Sequence, residues 1–168
     1  VIFEGDIAVD GSAASFGLIT TECAKLEAAG IPWVWSLGNH DGEMPAKGGS
    51  GPDSMAAWSN AMRKKYFPNP LPNDFYTGNS TPDSRAGLLQ DYYAWEWGDA
   101  LFVVLDPYWH RTVAPDQAGD WSLTLGRNQY AWLKRTLETS TAKFKFVFAH
   151  NLIGGKDMDG PMRGGVET

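Results

Sequence analysis

The chain has 168 residues, of which 43% are hydrophobic and 20% charged, enough for one folded domain with a substantial core. Its net charge of −6 argues against a surface built to hold a nucleic-acid backbone, and no apolar run is long enough to span a bilayer. Its single cysteine, Cys23, excludes an internal disulfide. The chain opens directly in an apolar run without a methionine, which is typical of a piece of a longer protein.

The first forty residues predict a strand, a helix and a second strand. An apolar run over residues 1–3 ends at Gly5-Asp6, which places Asp6 at the carboxyl end of the first strand. Residues 33–37 form the second strand, which runs into Gly38-Asn39-His40-Asp41. The crossover is expected to be right-handed and the strands parallel, so that Asp6 and Asn39 share one sheet edge. The helix between them is indicated by apolar residues at spacings of three and four, namely Phe16, Ile19, Cys23 and Leu26.

The middle of the chain predicts a helix, a polar loop and a hairpin. The helix covers residues 54–66, with Asp53 as its cap and Met55, Trp58 and Met62 on its buried face. Residues 73–85 are expected to form a surface loop. Strands at 92–97 and 100–105 are joined by Gly98-Asp99, the composition of a type II′ turn, and the second strand is apolar enough to be central.

The last third predicts one more helix and one more strand. The helix presents Tyr130, Leu133 and Leu137 on one face. In the strand, Phe144, Phe146 and Phe148 alternate with other residues, and the strand leads directly to His150. A glycine-rich tail follows. We find no internal repeat and no linker that would divide the chain, so residues 1–168 are expected to form a single α/β domain.

Three predicted strands therefore end in polar groups: a carboxylate at Asp6, a carboxamide and an imidazole at Asn39 and His40, and an imidazole at His150. In α/β sheets, ligands bind in the crevice beyond the carboxyl ends of the strands. Oxygen and imidazole groups together suit divalent metal ions, and an imidazole can transfer a proton near neutral pH. The pattern predicts a metal-dependent hydrolytic site.

These blocks resemble the calcineurin-like metallophosphoesterase family. Gly5-Asp6, Gly38-Asn39-His40-Asp41 and His150 look like the second, third and fourth of that family's signature blocks. Residues 92–99, which run on into Leu105-Asp106, are similar to its hairpin. Residues 124–133 are similar to a helix of its secreted phosphatase branch. The resemblance implies a mixed-sheet α/β/β/α sandwich, incomplete at both ends, and favours an extracytoplasmic protein.

The resemblance also implies roles for individual residues in the hydrolysis of phosphate mono- or diesters. Asp6 would bridge two divalent ions, and Asn39 and His150 would bind the second of them. His40 would protonate the leaving-group oxygen or hold the phosphoryl oxygens. Manganese, iron and zinc all remain possible, although Val9 stands where purple acid phosphatases carry a metal-binding tyrosine.

The chain departs from the family pattern in three respects. The first block, Asp-x-His, and the last, Gly-His-x-His, are both absent, and the chain has only three histidines. We therefore expect the chain alone to bind metal weakly and to show no turnover. The residue that orients His40 is open between Asp10 and Asp41, because the position where some branches carry that aspartate is Val9.

Further residues have both a functional and an ordinary interpretation. Arg163 could bind a phosphate with two hydrogen bonds, and His110 could contact substrate, but solvated loop residues are common at such positions. Trp109 and Trp121, in loops, could form the floor of a substrate cleft. A second hypothesis of a different class is therefore a non-catalytic binding module, for example for carbohydrate, that keeps the fold.

Overall fold

The computed structural model describes residues 1–6, 13–45, 49, 51–110, 125–150, 156–157 and 160–161. In these parts of the chain the fold is mixed α/β. The helices are α1 (Ala13–Ala28), α2 (Met55–Tyr66) and α3 (Gly126–Thr139). None of the described helices is both long enough and apolar enough to cross a membrane.

The strands form three sheets. Strands β1 (Ile2–Glu4) and β2 (Val34–Ser36) make a two-stranded sheet. The main sheet has four strands in the order in which they occur along the chain, and a short hairpin pairs the last two described segments. The four strands of the main sheet are β3 (Tyr76–Gly78), β4 (Tyr93–Trp97), β5 (Ala100–Val104) and β6 (Phe144–Phe148), and the hairpin strands are β7 (Lys156–Asp157) and β8 (Gly160–Pro161).

The predicted β1–α1–β2 unit is confirmed. Strands β1 and β2 are parallel, with Ile2 opposite Val34 and Glu4 opposite Ser36. Helix α1 ends at Ala28, and the turn that follows contains Gly30, whose φ of 68° is accessible to glycine at little cost. The unit is held by a core cluster in which Cys23, Trp35 and Phe67 are buried. Asp6 and Asn39 consequently follow neighbouring parallel strands at the same edge.

The main sheet is built on the predicted hairpin. Trp97 is opposite Ala100 across a two-residue turn whose first residue, Gly98, has a φ of 60°. Strand β5 is central, as predicted, because it pairs with β4 on one side and with β6, in parallel, on the other. One face of the sheet packs against α3 through a cluster whose buried members are Tyr92, Ala94, Leu101, Val103, Leu105 and Trp132.

The opposite face of the main sheet carries a row of aromatic side chains in register across all four strands. Tyr76 is opposite Trp95, Trp95 opposite Phe102, and Phe102 opposite Phe146. Trp95 and Phe102 stack at 5.1 Å between ring centroids, and Phe102 and Phe146 at 5.4 Å. Such cross-strand pairs fix the register of a sheet.

Helix α2 corrects two predictions. Ser54, and not Asp53, is the N-cap, since its side chain accepts a hydrogen bond from the Ala57 amide at 3.3 Å. Met55 and Trp58 are 57% and 44% exposed, so they do not form the buried face. That face carries Ala56, Ala57, Ser59, Asn60 and Arg63 instead. A buried ion pair between Arg63 and Glu43 sets this orientation of the helix.

The predicted loop at 73–85 is also partly wrong, because it contains the three-residue strand β3. This strand lies at the edge of the main sheet and exists through its antiparallel pairing with β4. A segment of this length carries no periodicity of its own, so its structure depends on its partner.

Candidate functional site

The carboxyl ends of β1, β2 and β6 meet at one place, and two glycines allow them to do so. A Cβ on Gly38 would collide with the backbone nitrogen and the Oδ1 atom of Asp6. A Cβ on Gly5 would collide with the backbone of Gly38 and lie 2.9 Å from Nδ1 of His150. The absence of these side chains brings the three strand ends into direct contact.

Asp6 and His150 form the centre of this cluster. Oδ2 of Asp6 lies 3.1 Å from Nε2 of His150, and both side chains are partly exposed. Nδ1 of His150 donates a hydrogen bond to the Glu4 carbonyl oxygen. This bond leaves Nε2 as the nitrogen that faces the carboxylate. A ring held through Nδ1 by a backbone carbonyl is the usual arrangement of a histidine that binds metal through Nε2.

The turn after β2 closes over Asp6. The backbone N–H of His40 donates to Oδ1 of Asp6 at 2.7 Å, so the two carboxylate oxygens of Asp6 have different partners. Asn39 is half-buried, and His40 is exposed. Within the described part of the chain, no hydrogen bond joins the carboxamide of Asn39 to Asp6 or His150. The structure therefore brings Asp6 and His150 together and places Asn39 and His40 on the adjoining turn.

Asp41 lies beneath this turn and is 6% exposed. Its Oδ2 atom accepts hydrogen bonds from the backbone N–H of Gly38 at 2.7 Å and from that of Asp6 at 3.1 Å. The indole N–H of Trp35 approaches the same oxygen at 3.3 Å. One buried carboxylate thus joins the ends of two strands.

The donor set fits one divalent cation better than two. Two ligands about 2.1 Å from a cation and at right angles to each other are about 3.0 Å apart, which is close to the Asp6–His150 separation. Asn39 on the adjoining turn would supply a neutral oxygen. No group of three or more His, Cys, Asp or Glu side chains among the described residues is arranged to hold a metal ion. The candidate ligands among the described residues are Asp6, Asn39 and His150.

A cavity of about 360 Å³ lies to one side of this cluster. It is lined by the loop after β3, by the residues that follow β5, and by the first turn of α3, and these linings include His110 and Trp109. Asp6, Asn39, His40 and His150 are not among the described lining residues. The ring of His110 packs on Gly126, where an added Cβ would lie 2.6 Å from Cγ of the imidazole.

Two buried carboxyl groups, Asp91 and Asp106, border the cavity. Burial raises the pKa of both groups. The neighbouring Asp91 carboxylate raises the pKa of Asp106 further. The hydrogen bond that Asn79 donates to Asp91 at 2.8 Å acts in the opposite direction on the pKa of Asp91. Asp106 accepts a hydrogen bond from the Tyr108 N–H at 2.7 Å. From the sequence, Asp106 stands out only as the residue that follows the second hairpin strand, and Asp91 carries no signal.

Tyr108 connects the cavity wall to the strand-end cluster. Its ring is buried with Leu37 and Met44 and meets the imidazole of His150 edge-on, with 6.3 Å between ring centroids. The two features are therefore neighbours that share the segment after β5. Three residues singled out from the sequence, Asp10, Trp121 and Arg163, lie outside the described residues.

Comparisons of the chain with protein-family models, with curated proteins and with solved structures found no match.

Proposed function

We propose that the chain carries part of a metal-dependent centre that hydrolyses phosphate mono- or diesters, in a calcineurin-like metallophosphoesterase domain with a two-sheet sandwich architecture. One observation carries the proposal. Asp6 and His150 are 144 positions apart in sequence, yet their side chains lie 3.1 Å apart, and a backbone carbonyl holds the imidazole with Nε2 towards the carboxylate. The two residues follow strands that belong to two different sheets.

In this proposal Asp6, Asn39 and His150 hold a divalent cation, which would polarise a phosphoryl group and lower the pKa of a bound water. Asp6 is oriented through Oδ1 by the His40 amide, which leaves Oδ2 directed at His150. Glu4 fixes the tautomer of His150. Asp6 and His150 are thus each held by a backbone group, Asp6 by the turn after β2 and His150 by the end of β1.

His40 would be the proton donor to the leaving oxygen. His40 is exposed, and its backbone N–H donates to Asp6. The residue that carries the imidazole is therefore hydrogen-bonded directly to a proposed ligand. An exposed imidazole can exchange its proton with solvent between turnovers, and imidazole is the side-chain group most often used as a general acid.

Metal binding is the first test. Mn²⁺ and Zn²⁺ would be titrated calorimetrically into the chain and into Asp6→Asn, His150→Ala and His110→Ala. We expect the first two variants to lose at least tenfold in affinity, because Asp6→Asn removes the negative charge of a ligand and His150→Ala removes a ligand. His110→Ala removes a histidine outside the cluster and is the matched control. Equal affinities in all four proteins would refute the proposed ligands.

Turnover is the second test. The described residues provide ligands for one cation, so we expect the chain alone to hydrolyse neither 4-nitrophenyl phosphate nor bis(4-nitrophenyl) phosphate. A polypeptide that adds an Asp-x-His and a Gly-His-x-His block is expected to hydrolyse at least one of them. In that polypeptide His40→Ala should lower kcat by about 10²- to 10⁴-fold and leave metal content unchanged. Loss of metal from that variant would contradict its role as an acid.

The alternative, a carbohydrate-binding module, is supported by the cavity. Trp109 and several polar groups line it, and it lies apart from the strand-end cluster. Binding to a glycan array that persists in EDTA, together with no measurable affinity for Mn²⁺ or Zn²⁺, would favour this alternative over the hydrolase.

A further inference from the structure

We propose that Asp41 is a positioning residue: its buried carboxylate holds the end of β1 against the turn after β2 and so fixes where the carboxylate of Asp6 lies. The expected effect of this contact on metal affinity rests on the proposed function. The contact itself is a property of the fold. The sequence suggested Asp41 only as a partner for the ring of His40.

The geometry of the Asp41 contacts carries the inference. A single oxygen, Oδ2, accepts the N–H of Gly38 at 2.7 Å and the N–H of Asp6 at 3.1 Å. Gly38 follows β2 and Asp6 follows β1, so the carboxylate joins two strand ends that lie 32 residues apart. Hydrogen bonds to an ionised acceptor are stronger than those between neutral groups, and burial away from water strengthens them further.

Asp6 needs such support because its backbone is unusual. Its φ is 52°, in the left-handed region that residues other than glycine rarely adopt. A residue persists there only when its surroundings hold it. The Asp6 N–H donates to Asp41, and the Asp6 side chain accepts from His40. Without the Asp41 acceptor, the backbone of Asp6 can relax, and its Oδ2 would no longer be held 3.1 Å from His150.

The test compares Asp41→Ala with the milder Asp41→Asn, which keeps one acceptor oxygen but no charge. Amide hydrogen exchange is measured first, without metal. We expect the amides of Asp6 and Gly38 to exchange at least tenfold faster in Asp41→Ala, with a smaller increase in Asp41→Asn. Amides of β5 should exchange as in the unmodified chain. This readout does not depend on any metal chemistry.

Mn²⁺ affinity is the second readout. Loss of a residue that orients a ligand typically costs 10- to 100-fold in metal affinity, so we expect a loss in that range for Asp41→Ala and partial recovery in Asp41→Asn. Val103→Ala, a cavity variant in the main sheet, is the control for general destabilisation: it should lower Tm and leave both the affinity and the two amides unchanged.

The outcomes separate the two proposals. Unchanged exchange at Asp6 and Gly38 in both Asp41 variants would overturn the positioning role. So would an equal loss of affinity in Val103→Ala, because that would make the effect one of stability alone. Faster exchange at the two amides in a chain that binds no metal would support the positioning role and refute the proposed function.

Discussion

The buried ion pair between Arg63 and Glu43 provides the sharpest test of how this fold is held together. Nε of Arg63 lies 2.5 Å from Oε1 of Glu43, and both residues are 2% exposed. Arg63 also donates to the carbonyl oxygens of Leu89 at 2.6 Å and Gln90 at 3.0 Å. Burial alone would lower the pKa of Arg63, but the adjacent Glu43 carboxylate raises it. Arg63 therefore stays charged, and its contacts join α2 to the segment before β4.

We expect Glu43→Gln and Arg63→Met each to lower the free energy of unfolding substantially. The double variant should lower it by much less than the sum of the two. Glu43→Gln keeps the side-chain shape but leaves a buried guanidinium without its partner, at a cost of about 4 kcal/mol. Arg63→Met leaves a buried carboxylate and removes the donors to two carbonyls, at a cost of about 5 kcal/mol. The double variant buries no charge. The two carbonyls each lose one hydrogen bond but keep another, Leu89 from Asn60 at 3.1 Å and Gln90 from Asn69 at 3.2 Å, so its cost should be about 2 kcal/mol. The sum of the single variants exceeds the double by about 7 kcal/mol, which is the coupling energy.

Urea unfolding followed by tryptophan fluorescence measures these free energies by linear extrapolation. The matched control is the exposed pair Glu22 and Lys25, where the same analysis should give a coupling energy below about 0.5 kcal/mol. Additivity of the Glu43 and Arg63 variants within about 0.5 kcal/mol would refute the argument. It would mean that the pair is solvated in the folded protein or that the unfolded chain retains it.

Two further predictions concern the buried carboxyls and the glycines. Burial raises the pKa of Asp106 and of Asp91, so the folded chain retains protons that the unfolded chain releases from about pH 4 upwards, and stability should fall as pH rises. Asp106→Asn should flatten the dependence of the urea midpoint on pH, and an unchanged slope would contradict this. Gly38→Ala should lower both Tm and Mn²⁺ affinity, since its Cβ would collide with Asp6. Gly17→Ala in α1, whose Cβ meets nothing within 4 Å, should instead stabilise the chain by about 0.5–1 kcal/mol; equal effects of the two substitutions would refute the argument.

The convergence of the strand ends was predictable because it depends on local signals. Apolar runs end at Gly5 and Gly38, and an alternating run ends before His150. A strand, a helix and a second strand imply parallel strands with a common edge, and the structure has that arrangement. This topology places Asp6 and Asn39 at one edge. The expectation that His150 lies close to them came from its position after a third strand and from the family resemblance.

The orientation of α2 could not be predicted, because its cause lies outside the helix. Periodicity assigns the apolar Met55 and Trp58 to the core, and it treats Arg63 as a surface residue. The partner of Arg63 is Glu43, 20 positions earlier and in a segment with no regular structure. The buried ion pair turns the face of the helix that carries Arg63 towards the interior. Nothing in the sequence links the two residues of the pair. The same is true of the backbone bonds that Asp41 makes.

The strand-end cluster is formed by residues of both sheets. This explains why its polar groups could be recognised in the sequence, whereas the residues that hold them in place could not. Glu4 is the last residue of β1 in the small sheet, and Asp6 follows it. His150 follows the main sheet, and the hydrogen bond between His150 and Glu4 spans 146 positions. In the proposed function the chemical groups at the strand ends are of fixed types, and in the sequence they stand in short blocks. The groups that bring the sheets together can be any residues that fill the space or pair a charge, such as Tyr108 behind His150. Such residues are specified only by the folded structure, and a ligand at the strand ends stabilises the docking of both sheets at once.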